Sequence, residues 1–233
     1  MGVGYTAYCG LQALFRPGPF SPFVRQISDD RGKRFGSFGP DTNVCGAGTR
    51  NFQRPDAFSL HVLSILDPGF PEPDAFKAYG PHARTSLRFH DEIEPGPDRI
   101  LPQANDIETI LSLGRTMSED IEKGGKPHML VHCQMGISRS TAATAILLLT
   151  IHRGTTEDDI FARLLELRPN AWPNCLMIEL ADELLHRHGR FTAAAGRLYA
   201  AQLAKRPEAA DFLRRHGRGR EVDMAARCGS LAS

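Results

Sequence analysis

The sequence has few cysteines, and none of them forms a CxxC pair. The five cysteines, an odd number spread over the whole chain, are Cys9, Cys45, Cys133, Cys175 and Cys228. Structural zinc sites need clustered ligands and disulfide frameworks need paired cysteines, so the pattern disfavours both. It fits a reducing compartment, and we expect a cytoplasmic location.

The chain also lacks long apolar runs and an excess of charge of one sign. The longest apolar run, Ala142 to Ile151, is about half of the ~20 residues that a membrane-spanning helix needs. Lysine and arginine total 28, aspartate and glutamate total 27, and the net charge is +1. The N-terminus has no basic start followed by an apolar segment, so we expect no signal peptide. We therefore expect neither a membrane protein nor a nucleic-acid-binding protein.

The distribution of glycine, proline and apolar residues predicts three regions. Residues 1–55 are dense in glycine and proline and show no regular period, which predicts an irregular extension with one short strand near Thr6–Cys9. Residues 56–190 carry the regular patterns of a folded domain. Residues 191–233 predict a helical C-terminal extension, and we expect its basic stretch, Arg214–Arg220, to be a solvated surface.

Within the central region, strands alternate with helices. Short apolar runs predict strands at Ser59–Leu66, Thr85–His90 and Met129–Val131. Apolar spacing and capping residues predict helices; these are Asp74–Tyr79, Gln103–Lys123, Arg139–His152, a helix capped by Thr155 or Thr156 that ends at Leu167, Cys175–His188, Thr192–Lys205, and a helix interrupted at Pro207. The alternation predicts an α/β fold with a small, mostly parallel central sheet flanked by helices on both faces.

The ten residues Val131–Ser140 read VHCQMGISRS and connect a predicted strand to an apolar helix. Backbone N–H groups of a loop that turns into a helix bind oxyanions, and the helix dipole adds partial positive charge. Gly136 lets the loop turn tightly, and Arg139 offers a planar fork for two phosphate oxygens. A thiol at a helix N-terminus beside a cation ionises easily, so Cys133 is predicted to be a nucleophile toward a phosphate ester. Ser140 can donate a hydrogen bond to the thiolate when it becomes a leaving group.

This pattern resembles the signature loop of the cysteine-based protein tyrosine phosphatase superfamily, and the chain around it is most similar to the dual-specificity branch. The resemblance depends on His132, Cys133, Gly136, Arg139 and Ser140 at their spacing, and it extends roughly from Phe58 to Gly189. It implies a phosphatase-like fold and catalysis without a metal or other cofactor. It also implies that the substrate phosphate is bound by the loop residues Gln134, Met135, Gly136, Ile137, Ser138 and Arg139.

The resemblance further implies a general acid that protonates the leaving oxygen and then activates water. Asp91, the first residue after the second predicted strand, matches the aspartate that does this in the family. Glu92, Glu94 and Asp98 are alternatives in the same acidic loop. A structural alternative for Asp91 is a turn-capping carboxylate in a solvated loop.

Two supporting residues follow from the same resemblance. His132 is expected to orient the loop and to help lower the pKa of the thiol. Asn174 matches an asparagine that hydrogen-bonds to the phosphate-binding loop, although its position before Cys175 equally fits a helix N-cap. Cys175 itself is either a partner that protects Cys133 after oxidation or a small buried thiol.

The predicted function is a metal-independent phosphomonoester hydrolase that acts on phosphotyrosine in proteins; the sequence leaves open whether phosphoserine and phosphothreonine are substrates as well. The same chemistry on a phosphoinositide, an inositol phosphate, a glucan or an RNA 5′-phosphate is an alternative. The variable loop residues Gln134, Met135, Ile137 and Ser138 are uncharged, which favours a simple phosphoprotein ester. A phosphate-binding module without turnover is the remaining alternative, and the oligomeric state is not predicted.

Overall fold

The computed structural model describes residues 43–46, 60–73, 82–125 and 127–229 of the 233-residue chain. The strand predicted near Thr6–Cys9 and the helix predicted at Asp74–Tyr79 lie outside these residues.

Four parallel strands form one sheet within the described residues. They are β1 (Asn43–Gly46), β2 (Leu60–Leu66), β3 (Ala83–Arg88) and β4 (His128–His132), and their order across the sheet is β1-β4-β2-β3. Each pair of neighbours runs parallel. The predicted α/β class with a small parallel sheet is confirmed.

Strand β1 is a difference from the sequence prediction, because it lies in residues 1–55. It pairs with β4, with Cys45 opposite Leu130. The four residues NVCG are too few to show the alternation that identifies a strand, and the last of them is a glycine. Pairing with a buried strand, which sequence does not reveal, selects this conformation.

Both faces of the two central strands are buried. On one face Leu63, Ile65 and Val131 join the main hydrophobic core. On the other face Val62 and Leu130 are also almost completely shielded from solvent. Strand β4 is therefore fixed on both sides, and so is the start of the loop that follows it.

The described residues contain seven helices. They are α1 (Ala104–Glu122), α2 (Arg139–Ile151), α3 (Glu157–Leu167), α4 (Cys175–Leu184), α5 (Arg190–Lys205), α6 (Ala209–Arg215) and α7 (Gly219–Gly229). All residues of α2 are buried, as predicted, and α1, α3 and α4 pack against it. Thr156 caps α3 by accepting a hydrogen bond from Asp159 N at 3.2 Å. No helix in this part of the chain is long and apolar enough to cross a membrane.

The boundary between α4 and α5 differs from the prediction, which extends α4 to His188. Helix α4 ends at Leu184, and His188 adopts a φ of +54°. The buried carboxylate of Asp182 accepts hydrogen bonds from Gly189 N at 2.7 Å and Thr192 N at 2.8 Å. These bonds satisfy amide groups at the start of α5, so α5 begins earlier than the apolar spacing indicates.

Candidate active site

The loop between β4 and α2 surrounds the thiol of Cys133. Its Sγ lies 3.2 Å from the backbone nitrogen of Gly136 and 3.2 Å from Oγ of Ser140. Gly136 has a φ of +67°, a conformation that a side chain would strain. Ser138 is the N-cap of α2, so the thiol lies beside the N-terminus of a buried helix. This arrangement of amides and helix dipole suits an anion bound at the thiol.

Arg139 is completely buried at the start of α2. Its Nη1 donates to Oδ1 of Asp67 at 2.7 Å and to the carbonyl of Phe89 at 2.5 Å, and its Nη2 donates to the side chain of Gln134. Asp67 therefore supplies the opposite charge that a buried guanidinium needs. Asp67 is not among the site residues predicted from the sequence. Its position directly after β2, at the sheet edge where the loop also lies, was the available signal.

Asp91 contacts the loop between β4 and α2. Its Oδ1 accepts three side-chain hydrogen bonds, from Ser138 Oγ at 2.6 Å, Asn174 Nδ2 at 2.9 Å and Arg218 Nη1 at 3.2 Å. Burial alone would raise the pKa of Asp91, but Arg218, Arg139 and the hydrogen bonds from Ser138 and Asn174 lower it below its usual value. In the free protein Asp91 is therefore an ionised, firmly held carboxylate, not the solvated turn cap of the structural alternative.

The other acids of this loop are placed differently. Burial raises the pKa of Glu92, against the opposing effect of Arg99, whose Nε lies 3.8 Å from its carboxylate. Glu94 and Asp98 are exposed, and Asp98 adopts a φ of +56°. Among the four predicted acids, Asp91 is the one whose carboxylate hydrogen-bonds to the phosphate-binding loop.

His132 is buried beneath the loop. Its Nε2 lies 2.7 Å from Oγ of Ser64, which also accepts hydrogen bonds from Arg84, and the imidazole hydrogen-bonds to the backbone of Cys133. Burial, with a further contribution from Arg84, lowers the pKa of His132 to about 4. The ring is thus uncharged at neutral pH. It can orient the loop, as expected, but it supplies no positive charge to the thiol.

Asn174 corresponds to one of the two alternatives that the sequence left open, the helix N-cap, and it also contacts Asp91. Its Oδ1 accepts from Met177 N at 3.1 Å and so caps α4. Its Nδ2 donates to Asp91 and, at 3.2 Å, to the carbonyl of Glu92, so it reaches the acidic loop and not the phosphate-binding loop directly.

The backbone of the loop is held from outside by two further groups. Arg168 donates to the carbonyl of Gly136 at 2.9 Å and to that of Met135 at 3.5 Å. Trp172 N donates to the carbonyl of Ile137 at 2.9 Å. Arg168 is not among the site residues predicted from the sequence. These contacts point the loop carbonyls outward, which leaves the amides free to face an anion.

Cys175 corresponds to the second of its two alternatives, a small buried thiol. It is completely buried, and burial together with Glu221 raises its pKa far above the usual value. A thiol held in its neutral form is unreactive.

Arg218 is the largest correction to the sequence analysis, which placed it in a solvated basic surface. Its side chain is 3% exposed, whereas Arg214 in the same stretch is exposed as predicted. Arg218 contacts Asp91, Ser138 and Glu221. The charge run in the sequence does not distinguish these arginines, because their burial depends on the turn between α6 and α7.

No family model matches the chain, and no curated protein matches it. Similar solved structures include the human tyrosine phosphatase-like serine/threonine/tyrosine-interacting protein, at 20% identity and a TM-score of 0.39 over 56% of this chain and 78% of that one. The phosphatase domain of Yvh1 from Chaetomium thermophilum has 22% identity and a TM-score of 0.38, over 56% and 80% of the two chains. Human DUSP28 has 19% identity and a TM-score of 0.38, over 55% and 80%. Proteins of the predicted phosphatase class are thus among the structures that this chain resembles, but values this low do not assign a function, which we infer from the geometry of the loop.

Proposed function

We propose that this protein is a metal-independent phosphomonoester hydrolase with Cys133 as its nucleophile. The observation that carries this proposal is the placement of the thiol. Its Sγ contacts an inward-facing amide of Gly136 and the hydroxyl of Ser140 at the N-terminus of α2, and the buried Arg139 begins the same helix. The loop amides and the guanidinium supply the positive potential that a phosphoryl transfer needs.

In the proposed reaction the Cys133 thiolate attacks phosphorus in line with the leaving oxygen. A sulfur–phosphorus bond forms as the phosphorus–oxygen ester bond breaks, while Arg139 and the loop amides hold the non-bridging oxygens. Water then attacks the phosphocysteine. Ser140, at 3.2 Å from the sulfur, donates a hydrogen bond to the departing thiolate.

We assign the general acid role to Asp91, which protonates the leaving oxygen and afterwards accepts a proton from water. Asp91 is ionised in the free protein because Arg218 and Arg139 lower its pKa against the effect of burial. A bound phosphate dianion offsets the charge of Arg139 and adds negative charge beside Asp91. Both effects raise the pKa of Asp91 in the complex, so the acid form arises where it is needed.

For the substrate, we propose phosphotyrosine and also phosphoserine or phosphothreonine in proteins. Ile137 and Ser138 are buried, so the variable loop residues open to a substrate are Gln134 and Met135, and both are uncharged. A loop without basic side chains at these positions suits a single phosphate group better than a polyanionic lipid headgroup or inositol phosphate.

Hydrolysis of p-nitrophenyl phosphate in EDTA tests the reaction. We expect turnover by the wild type, loss of it in Cys133→Ser, and no change in the matched control Cys228→Ser, a partly exposed thiol in α7. Asp91→Asn should remove the limb of the rate profile that falls as pH rises. An unaltered profile would transfer the acid role to Glu92, whose pKa is raised.

Two results would contradict the proposal. A wild type that binds orthovanadate without hydrolysing any ester would be a phosphate-binding module. Faster turnover of a phosphoinositide than of phosphotyrosine peptides would keep the chemistry and overturn the protein substrate.

A further inference from the structure

Arg218 lies in the turn between α6 and α7, yet its side chain is buried against the phosphate-binding loop. A buried guanidinium is costly unless its donors are paired. Nε donates to Glu221 at 2.9 Å, Nη1 donates to Asp91 Oδ1 at 3.2 Å, and Nη2 donates to Ser138 Oγ at 3.1 Å and to Glu221 at 2.7 Å. All three nitrogens of Arg218 therefore have oxygen acceptors, and two of them reach the candidate active site.

Glu221 fixes Arg218 from behind. It is completely buried, and it also accepts hydrogen bonds from the indole of Trp172 and from Cys175 N. Trp172 N in turn donates to the carbonyl of Ile137 in the loop. The start of α7 is thus tied to the loop along two routes, one through Arg218 and one through the turn before α4.

The contacts among Arg218, Asp91 and Ser138 form a closed triangle. Ser138 Oγ donates to Asp91 and accepts from Arg218, while Asp91 accepts from both. The guanidinium in this triangle is positively charged. Burial would lower the pKa of Arg218, but Glu221 and Asp91 outweigh this effect and raise it well above its usual value. Removing Arg218 would take away a cation that hydrogen-bonds to both Ser138 Oγ and the carboxylate of Asp91.

We propose that Arg218 is a positioning residue of the active site. Through Arg218, the C-terminal helices fix the positions of Asp91 and Ser138 relative to Cys133. This inference depends on the proposed function. With this role, the segment after α6 takes part in positioning the catalytic residues, whereas its composition predicts a surface extension.

The experiment compares two substrates whose leaving groups differ in their need for a proton. Phenyl phosphate requires protonation of its leaving oxygen more than p-nitrophenyl phosphate does. We expect Arg218→Met to lower kcat for phenyl phosphate about tenfold or more, to lower kcat for p-nitrophenyl phosphate less, and to leave KM within about threefold. Arg218→Lys should recover part of the loss, because it restores the charge but not the planar fork.

The matched control is Arg214→Met, which removes an exposed arginine paired with Asp223 in the same segment. This variant should leave kcat for both substrates unchanged. If Arg218→Met does not fold, the double variant Arg218→Met/Glu221→Gln avoids an unpaired buried carboxylate and should show the same difference between substrates.

The outcomes separate the two proposals. If the wild type is active and the Arg218 variants lower kcat equally for both substrates, or for neither, the positioning role of Arg218 is overturned and the proposed function is not. A wild type that hydrolyses no phosphate ester would overturn the proposed function and this role with it.

Discussion

At the scale of single residues, burial decides what each group near the thiol can contribute. His132 and Asp91 both lie within the packed region around the loop, but their charges differ. Two arginines and two hydrogen-bond donors keep Asp91 ionised, whereas Arg84, the nearest cation of His132, further disfavours its charged form. The neutral imidazole of His132 therefore adds no positive charge at Cys133, whereas the guanidinium of Arg168 interacts electrostatically with this thiol.

His132 makes the stability of the protein depend on pH. Its pKa is 6.5 in an ordinary environment and about 4 in the folded chain, so the unfolded chain binds the extra proton between these values. The stabilisation is complete above about pH 6.5 and is lost as pH falls toward 4, with a total on the order of 3 kcal/mol at most.

Urea unfolding at several pH values measures this effect. We expect His132→Asn to flatten the dependence of the free energy of unfolding on pH between about 4 and 6.5. The control His188→Asn replaces an exposed histidine whose φ of +54° asparagine tolerates, and it should keep the wild-type slope. Equal slopes for wild type and His132→Asn would mean that folding does not shift the pKa of His132.

At the scale of elements, the approach of α7 to α5 depends on one small residue. A Cβ added at Gly196 in α5 would lie 2.8 Å from Sγ of Cys228 and 3.1 Å from the carbonyl oxygen of Met224. Both contacts are on α7, and Met224 O is backbone, so the helix itself would have to move. Because α7 follows directly after Arg218, its displacement would also disturb the contacts of Arg218 with the loop.

We expect Gly196→Val to lower the free energy of unfolding by about 1–3 kcal/mol through overpacking, and to lower kcat for phenyl phosphate as well. The control Gly154→Val changes a glycine with nothing within 4 Å of its added Cβ and should leave kcat unaltered. Thermal unfolding and steady-state kinetics of both variants test this. A Gly196→Val protein with wild-type stability and kcat would show that α7 need not pack this closely.

The residue pattern by itself predicts those parts of the site that are contiguous in the chain, whereas Asp91 and Asn174 were predicted through the family resemblance. Cys133, Gly136, Arg139 and Ser140 were predicted because strand, loop and helix N-terminus follow one another and a short motif contains them. Asp67 and Arg218 were missed because their partners are distant: Asp67 and Arg139 are 72 positions apart in the sequence, and Asp91 and Arg218 are 127 positions apart. Neither separation leaves a periodic signal, and the ion pairs form only once the sheet and the C-terminal helices have packed.

At the scale of the whole molecule, the C-terminal helices share the core of the rest of the chain. Val222, Met224 and Ala225 of α7 belong to the same hydrophobic cluster as the buried helix α2. Tyr199 of α5 stacks on Trp172 with ring centroids 4.7 Å apart, and its hydroxyl donates to the carbonyl of Pro173 at 2.6 Å. The segment that composition separates as an extension is therefore integrated into the fold.

Because of this integration, we expect a chain shortened to end at His216 to be less stable and less active than the full chain. The truncation removes α7, Arg218 and Glu221, which exposes apolar core surface and leaves Trp172 Nε1 without its buried acceptor. We expect a lower unfolding temperature and a loss of kcat toward phenyl phosphate larger than that of Arg218→Met. A chain ending at Gly229, which keeps every described helix, is the control and should match the full protein in both measurements. Full stability and activity in the chain ending at His216 would show instead that the residues up to His216 hold the loop in place without help from α7.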